Sequence, residues 1–395
     1  MTEIRPAKRT APFGESVIRE MSRIAAREGA VNLAQGFPDF PAPLAMKEAA
    51  ARAIAADINQ YAVTWGAPRL RAAIAKRTTA YNRFPVDADR HVTVTCGATE
   101  AMIAVLMAVI DPGDEVIVFE PFYENYGPDC TLSGATPRFV RLSGPDWMFD
   151  PAELAAAFGP RTKAIIINTP HNPTGKVFTR DELQVIAELC LEHDVLAITD
   201  EIYEYILYDD AEHVSIASLD GMAPRTITIS GLSKTWSATG WRIGWCLAPE
   251  RFTAAIRKVH DFLTVGAPAP LQEAAADALA FGDEYFEELA AGYAKRRSLL
   301  MDTLTEAGLA ISRPRGAYYI MADIAHLAKP GEDDTAFALR LAAKGGVATV
   351  PGSSFFANPA DGAHLIRFCF AKQEATLKRA AEVLVDRLGA MGQQG

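Results

Sequence analysis

The sequence is short of cysteine, of basic charge and of long apolar runs, and each shortage closes off a class of protein. Five cysteines (Cys96, Cys130, Cys190, Cys246 and Cys369) are odd in number, scattered and free of CxxC spacing. Neither a disulfide framework nor a zinc site is expected, no other metal set stands out, and a reducing cytoplasm is the expected location. Lysine and arginine total 39 against 49 aspartates and glutamates, a net charge of -10. That balance argues against nucleic acid or a membrane surface as partner. The longest apolar run, residues 101–110, is too short to span a bilayer and reads as a buried helix. The first residues carry charges but no apolar core of a signal peptide. Internal repeats and low-complexity tracts are missing, and residues 393–395 read as a frayed end.

What is present is an ordinary globular composition, 49% hydrophobic and 22% charged over 395 residues, with length for two domains. A polar arm leads into a helical pattern with Val17, Ile18, Met21 and Ile24 on one face. Residues 31–43 hold a glycine and several prolines, which forbid a long helix and predict an ordered loop. Gly36 in that loop permits close backbone approach to a ligand. Residues 59–66 read as a polar, aromatic loop, and a helix over 68–81 opens at Pro68.

From residue 91 the pattern alternates between strand and helix. Strands are predicted over 91–96, 115–120, 138–142, 162–168 and 195–199, with helices over 151–158 and 180–192. Gly97, Ala98 and Thr99 open the helix after the first strand, where free backbone N–H groups and the helix dipole make an anion site. The alternation implies a mostly parallel sheet with right-handed crossovers and ligands at the carboxyl ends of its strands. Helices follow over 249–262 and 271–307, then strand 317–322, helix 335–344, strands 347–350 and 365–371, and a last helix from 374. The expected division is residues 1–45 as an arm and part of a small domain, 46–285 as the large domain, and 286–395 as the smaller α/β C-terminal domain.

Polar clusters sit at the predicted strand ends. Lys234 lies between two β-like runs, flanked by Trp236 and Trp241, which predicts partial desolvation and a nucleophilic amine. Such an amine holds an aldehyde cofactor as a Schiff base, and Arg242 with nearby hydroxyls suits a phosphate. A solvated loop lysine is the competing reading of that stretch alone. Asp200 either caps a helix that follows its strand or pairs with a protonated pyridine nitrogen. Tyr203 and Asn172 are placed to bond a ring oxygen, whereas His171 reads as structural.

Asn32-Leu-Ala-Gln-Gly-Phe-Pro, Asn172-Pro-Thr-Gly175, Asp200-Glu-Ile-Tyr203, Ser233-Lys234, Thr239-Gly-Trp-Arg-Ile-Gly244 and Ile366-Arg-Phe-Cys-Phe370 occur in one order and spacing. In them the chain resembles, over nearly its whole length, a class I aminotransferase of the pyridoxal-phosphate fold-type-I superfamily. Within that family it is most similar to the branch of kynurenine/glutamine, methionine and N-succinyldiaminopimelate aminotransferases. The resemblance implies a large domain with a mostly parallel seven-stranded sheet plus a smaller α/β domain. It implies pyridoxal 5'-phosphate as cofactor, bound covalently by Lys234, which also moves the proton at the substrate Cα. By the same resemblance Asp200 pairs with the ring nitrogen, Tyr203 and Asn172 hold the ring oxygen, and Tyr123 stacks on the ring. Gly97, Ala98, Thr99, Ser233 and Arg242 match the phosphate cradle, with Tyr61 reaching in from a second subunit, so a symmetric homodimer is implied. Arg367 matches the arginine that binds the substrate α-carboxylate, alongside Gly36 and Asn172. An amino acid and a 2-oxo acid would react in turn by ping-pong kinetics.

Three departures bear on substrate. Ile18 and Val265-Gly266 stand where kynurenine-type relatives carry aromatic or imidazole groups, so neutral, sulfur-containing or aromatic donors are expected rather than kynurenine alone. Residues 261–272 hold no arginine, so the distal-carboxylate clamp of aspartate aminotransferases is missing there. Gly231 replaces a serine, leaving Ser230 or Ser233 to supply a phosphate hydroxyl. Competing expectations are a β-lyase of the cysteine-S-conjugate type on the same scaffold, an N-succinyldiaminopimelate or aspartate-type aminotransferase, and a non-catalytic ligand-sensing domain.

Overall fold

The computed structural model describes residues 4–392, and the expected frayed end at 393–395 lies outside them. Among the described residues the main sheet has eight strands. Their order is Val92–Thr95, Gly244–Leu247, Thr226–Gly231, Leu196–Asp200, Thr162–Asn168, Glu115–Glu120, Thr136–Ser143 and Met148–Phe149. Seven match the expected sheet; the eighth, Met148–Phe149, is a two-residue edge strand too short to show a period in sequence. The five strands from Thr226–Gly231 to Thr136–Ser143 are mutually parallel, and Gly244–Leu247 runs antiparallel to both its neighbours.

Parallel strands buried on both faces read as continuous Val/Ile runs, and their side chains divide by alternation. Val116, Val118, Ile166, Ile198, Ile227 and Ile229 pack with Ala101, Val105 and Leu106 of helix Ala98–Val109. Ile117, Phe119, Ile165, Ile167 and Ala197 face the other way, onto Leu183 and Ile186 of helix Arg180–Glu192. That helix starts in a complete capping box between Thr179 and Glu182.

A second, antiparallel sheet has the order Ala310–Ile311, Tyr319–Asp323, Leu365–Cys369 and Val350–Pro351. The single strand expected over 347–350 is two. Val347–Ala348 pairs with Val31–Asn32, and Val350–Pro351 turns to pair with Leu365–Cys369. The residues just after the first helix are thereby stitched to the C-terminal part of the chain. Helices Leu44–Ala55 and Tyr126–Ser133 were not expected from the pattern. No helix among the described residues is long and apolar enough to cross a membrane.

Candidate active site

A cavity opens where the parallel strands end. Asn168 and Asp200 close strands Thr162–Asn168 and Leu196–Asp200, Lys234 follows Thr226–Gly231, Tyr123 follows Glu115–Glu120, and Ala98 and Thr99 follow Val92–Thr95. Ile18 and Arg19 of helix Val17–Glu28, Gln35 and Gly36 of the next loop, and Tyr319 of the small sheet complete the wall.

Lys234 Nζ donates to the Gly36 carbonyl oxygen at 3.0 Å and lies 5.6 and 5.7 Å from the ring centroids of Tyr203 and Tyr318. Burial is the main cause that lowers its pKa to about 8, against the opposing pull of groups that include Asp200. The desolvation expected from Trp236 and Trp241 therefore has another source. Trp236 packs with Tyr205, Tyr285 and Phe286, and Trp241 rests on the same separate cluster. The tyrosines come from segments far along the chain.

Asp200 is buried, and its carboxylate accepts from Tyr126 Oη at 2.8 Å and the Ile202 backbone N–H at 3.2 Å. Burial pushes its pKa up to about 6; Tyr126, the Ile202 N–H and Lys234 pull it down. Its carboxylate thus makes a local turn, but no helix begins there for it to cap. Asn168 orders this floor, donating from Nδ2 to the Asp200 carbonyl and accepting at Oδ1 from the Asn172 N–H.

Arg367 is fully buried. Its Nη1 donates to Asn172 Oδ1 at 2.7 Å, its Nη2 donates to the Ala34 carbonyl at 3.0 Å, and its Nε has no partner among the described residues. The guanidinium lies 4.2 Å from the Tyr319 ring centroid. Tyr319 Oη and Tyr203 Oη share a hydrogen bond of 3.0 Å. A Cβ on Gly36 would collide with the Tyr319 hydroxyl, so only glycine fits that approach.

At the opposite end Gly97 has φ +87, and a Cβ there would meet the Arg242 guanidinium. Arg242, itself left-handed at φ 53, donates from Nη1 to the Thr239 carbonyl at 2.9 Å. Helix Ala98–Val109 starts without a side-chain cap, and Ala98 and Thr99 of its first turn line the cavity together with Arg242 and Ser233. Ser230 points elsewhere, its Oγ donating to Glu204 Oε1 at 2.8 Å. Of the two candidate serines, Ser233 alone lines the cavity. A side chain on Gly231 would press on the Ile243 carbonyl at 2.9 Å.

Two expected residues stand apart. Tyr61 is 85% exposed and is not brought to the cavity of its own chain. His171 is buried, bonded through Nδ1 to Thr174 Oγ1, and burial lowers its pKa to about 3; it is a neutral structural ring, as expected. Sequence reasoning missed Tyr126, Tyr318, Tyr319, Asp129 and Arg19. Tyr126 follows Tyr123 by three residues, across the turn that opens helix Tyr126–Ser133, and is the only one of them with a local signal.

The family model for aminotransferase class I and II matches residues 28–384. A probable N-succinyldiaminopimelate aminotransferase of Mycobacterium tuberculosis is 41% identical over 94% of this chain and 96% of its own length. The solved structure of the M. tuberculosis N-succinyldiaminopimelate aminotransferase superposes with a TM-score of 0.93, covering 97% of this chain and 100% of that one. Methionine aminotransferase of Escherichia coli is 38% identical over 96% of this chain and 97% of its own length. Human kynurenine–oxoglutarate transaminase 1 is also 38% identical, over 92% of this chain and 94% of its own. With strand-end chemistry, fold and sequence agreeing along the chain, it belongs to the class I and II aminotransferase family and is an aminotransferase.

Proposed function

We propose that the cavity binds pyridoxal 5'-phosphate through Lys234 and passes an α-amino group from a neutral, sulfur-containing or aromatic amino acid to a 2-oxo acid. The observation that carries this is the buried Lys234 amine, lowered toward neutrality, set in one cavity with Asp200 and the Gly97–Arg242 anion cradle. The cradle's fit to a phosphate ester rests on uncapped N–H groups, a guanidinium and a space that a single Cβ would fill.

When bound, the cofactor supplies a conjugated ring that accepts the electron pair left at the substrate Cα. The chain's own residues do the rest. Asp200 would hold the proton on the ring nitrogen, and Tyr203 and Asn172 would bond the ring oxygen. Tyr123 would stack on the ring, while Ala98, Thr99, Ser233 and Arg242, which line the same cavity, would bind the phosphate. Arg367 grips the α-carboxylate, fixing the Cα–H bond for Lys234 Nζ to remove and return the proton. Its unpartnered Nε supports a ligand acceptor at that end. Neutral donors are favoured because Ile18 lines the wall and residues 261–272 bring no arginine; the methionine and kynurenine relatives point the same way.

We place the active unit as a homodimer to which Tyr61 contributes across the interface. Tyr61, Val63, Phe262, Leu263 and Val265 are exposed. The two segments meet where His260 Nε2 and the Thr64 carbonyl oxygen lie 2.8 Å apart. Residues 46–285 form the large unit and 1–45 with 286–395 the small one, a division supported by the pairing of Val31–Asn32 with Val347–Ala348. Five free cysteines support a reducing cytoplasm.

The test is spectroscopic. Purified protein is titrated with methionine, glutamine, phenylalanine, kynurenine, aspartate and N-succinyldiaminopimelate while the visible absorbance of bound cofactor is followed. Bleaching by the neutral donors that recovers with pyruvate or 2-oxoglutarate is expected. Ammonia and keto acid released without lasting bleaching would establish a lyase and overturn the transfer reading.

A further inference from the structure

We propose that Arg19 receives the second carboxylate of a dicarboxylic 2-oxo acid, making a five-carbon acceptor such as 2-oxoglutarate the preferred partner of the second half-reaction. The inference rests on the reading of this cavity as the transamination site, and adds the residue that selects the acceptor.

Two arginines line the cavity itself, Arg19 and Arg242, while Arg367 adjoins it through Asn172. Arg242 is committed to backbone carbonyls and to the anion cradle. Arg367 answers a single carboxylate, the one every amino and 2-oxo acid carries. Arg19 is left over: its guanidinium makes no hydrogen bond or close ion pair among the described residues.

Two carboxylates of this region are already engaged. Glu15 feels the charge of Arg19, but both its oxygens are taken by Arg23 at 2.6 and 3.0 Å. Glu124, which shares the cavity wall, accepts from Ser16 Oγ at 2.5 Å. The same Ser16 oxygen caps the helix by accepting from the Arg19 N–H, which fixes where the arginine leaves the backbone.

A ping-pong enzyme must fit both substrates into one cavity in turn, and helix Val17–Glu28 offers two surfaces for that. Ile18 is buried and apolar and suits the side chain of a neutral donor. Arg19 is exposed, so its long stem can keep the charge in water while a neutral donor is bound. It can then turn its planar fork to a second carboxylate when the acceptor enters.

The test uses the holoenzyme and its Arg19→Gln and Arg19→Lys variants. One readout is KM for 2-oxoglutarate relative to KM for pyruvate, which lacks the second carboxylate. The other is the dissociation constant of unreactive glutarate relative to butyrate, read from the absorbance of bound cofactor. In Arg19→Gln both ratios should rise roughly 10- to 100-fold, the scale of a charge-assisted hydrogen bond. Arg19→Lys should recover part of that loss. Ratios that stay at the wild-type value, or a wild-type enzyme that transfers to pyruvate but not to 2-oxoglutarate, overturn this inference and leave the transaminase reading standing. Absence of transfer to either acceptor overturns both.

Discussion

Two buried aspartates line one cavity and are treated differently by the fold. Asp200 ends a parallel strand, where a tyrosine hydroxyl and a backbone N–H bond its carboxylate and an amine stands near. Asp129 lies on helix Tyr126–Ser133 with its Oδ2 unpartnered among the described residues, and burial alone pushes its pKa up to about 7. Asp200, no less buried, rises only to about 6 because donors oppose the desolvation. Burial thus sets the direction of both shifts, and hydrogen-bond donors decide which carboxyl keeps its charge near neutral pH.

Removing the charge at the strand end is the largest way to break that contrast. Asp200→Asn leaves the shape but not the carboxylate, and kcat should fall by about 10²- to 10⁴-fold, with a changed absorbance of the bound cofactor. A kcat within tenfold of wild type would remove Asp200 from its proposed role. Tyr126→Phe is subtler, since it deletes one donor and keeps the charge. Asp200 should then hold its proton more tightly, moving the acid limb of the kcat profile to higher pH by on the order of one unit. An unmoved limb would mean that Tyr126 does not tune Asp200.

The smallest effect sharpens the other side. Asp129 binds its proton more tightly folded than unfolded, so the folded state is favoured at low pH. That contribution is lost as pH rises from the unfolded value of about 4 through the folded value of about 7. Asp129→Asn cannot titrate, so its stability relative to wild type should improve between about pH 5 and pH 8. The gain should be on the order of 1–3 kcal/mol, measured as Tm of the holoenzyme at each pH. A constant difference across that range would show that the carboxyl finds a partner in solution.

Much of this site was legible in the chain because its groups sit at strand ends, where a short apolar run bounded by polar residues marks both the element and its end. Lys234, Asp200 and Asn172 stood out as polar positions at those ends, and the family resemblance gave them their roles. The environment of Lys234 was not legible: the tryptophans beside it in sequence turn into another cluster, and Tyr203 and Tyr318 desolvate it instead. Tyr319 was invisible for the same reason, since tertiary packing alone brings the small sheet to the strand ends, and the resemblance that put Ile18 at the site said nothing of Arg19 beside it. The split of residues 347–350 between two sheets could not be read either, because a run of three apolar residues and a threonine looks alike whichever neighbour it pairs with.

The Gly36 carbonyl oxygen has one further consequence. It accepts from Lys234 Nζ and from Tyr318 Oη, at 3.0 and 2.9 Å, and a carbonyl oxygen has two lone pairs. While the amine rests there the oxygen is saturated, and no water or ligand donor has a place on it. Departure of Lys234 from this carbonyl uncovers one acceptor beside the reacting centre, so the residue that performs the chemistry also governs a vacancy in the wall around it.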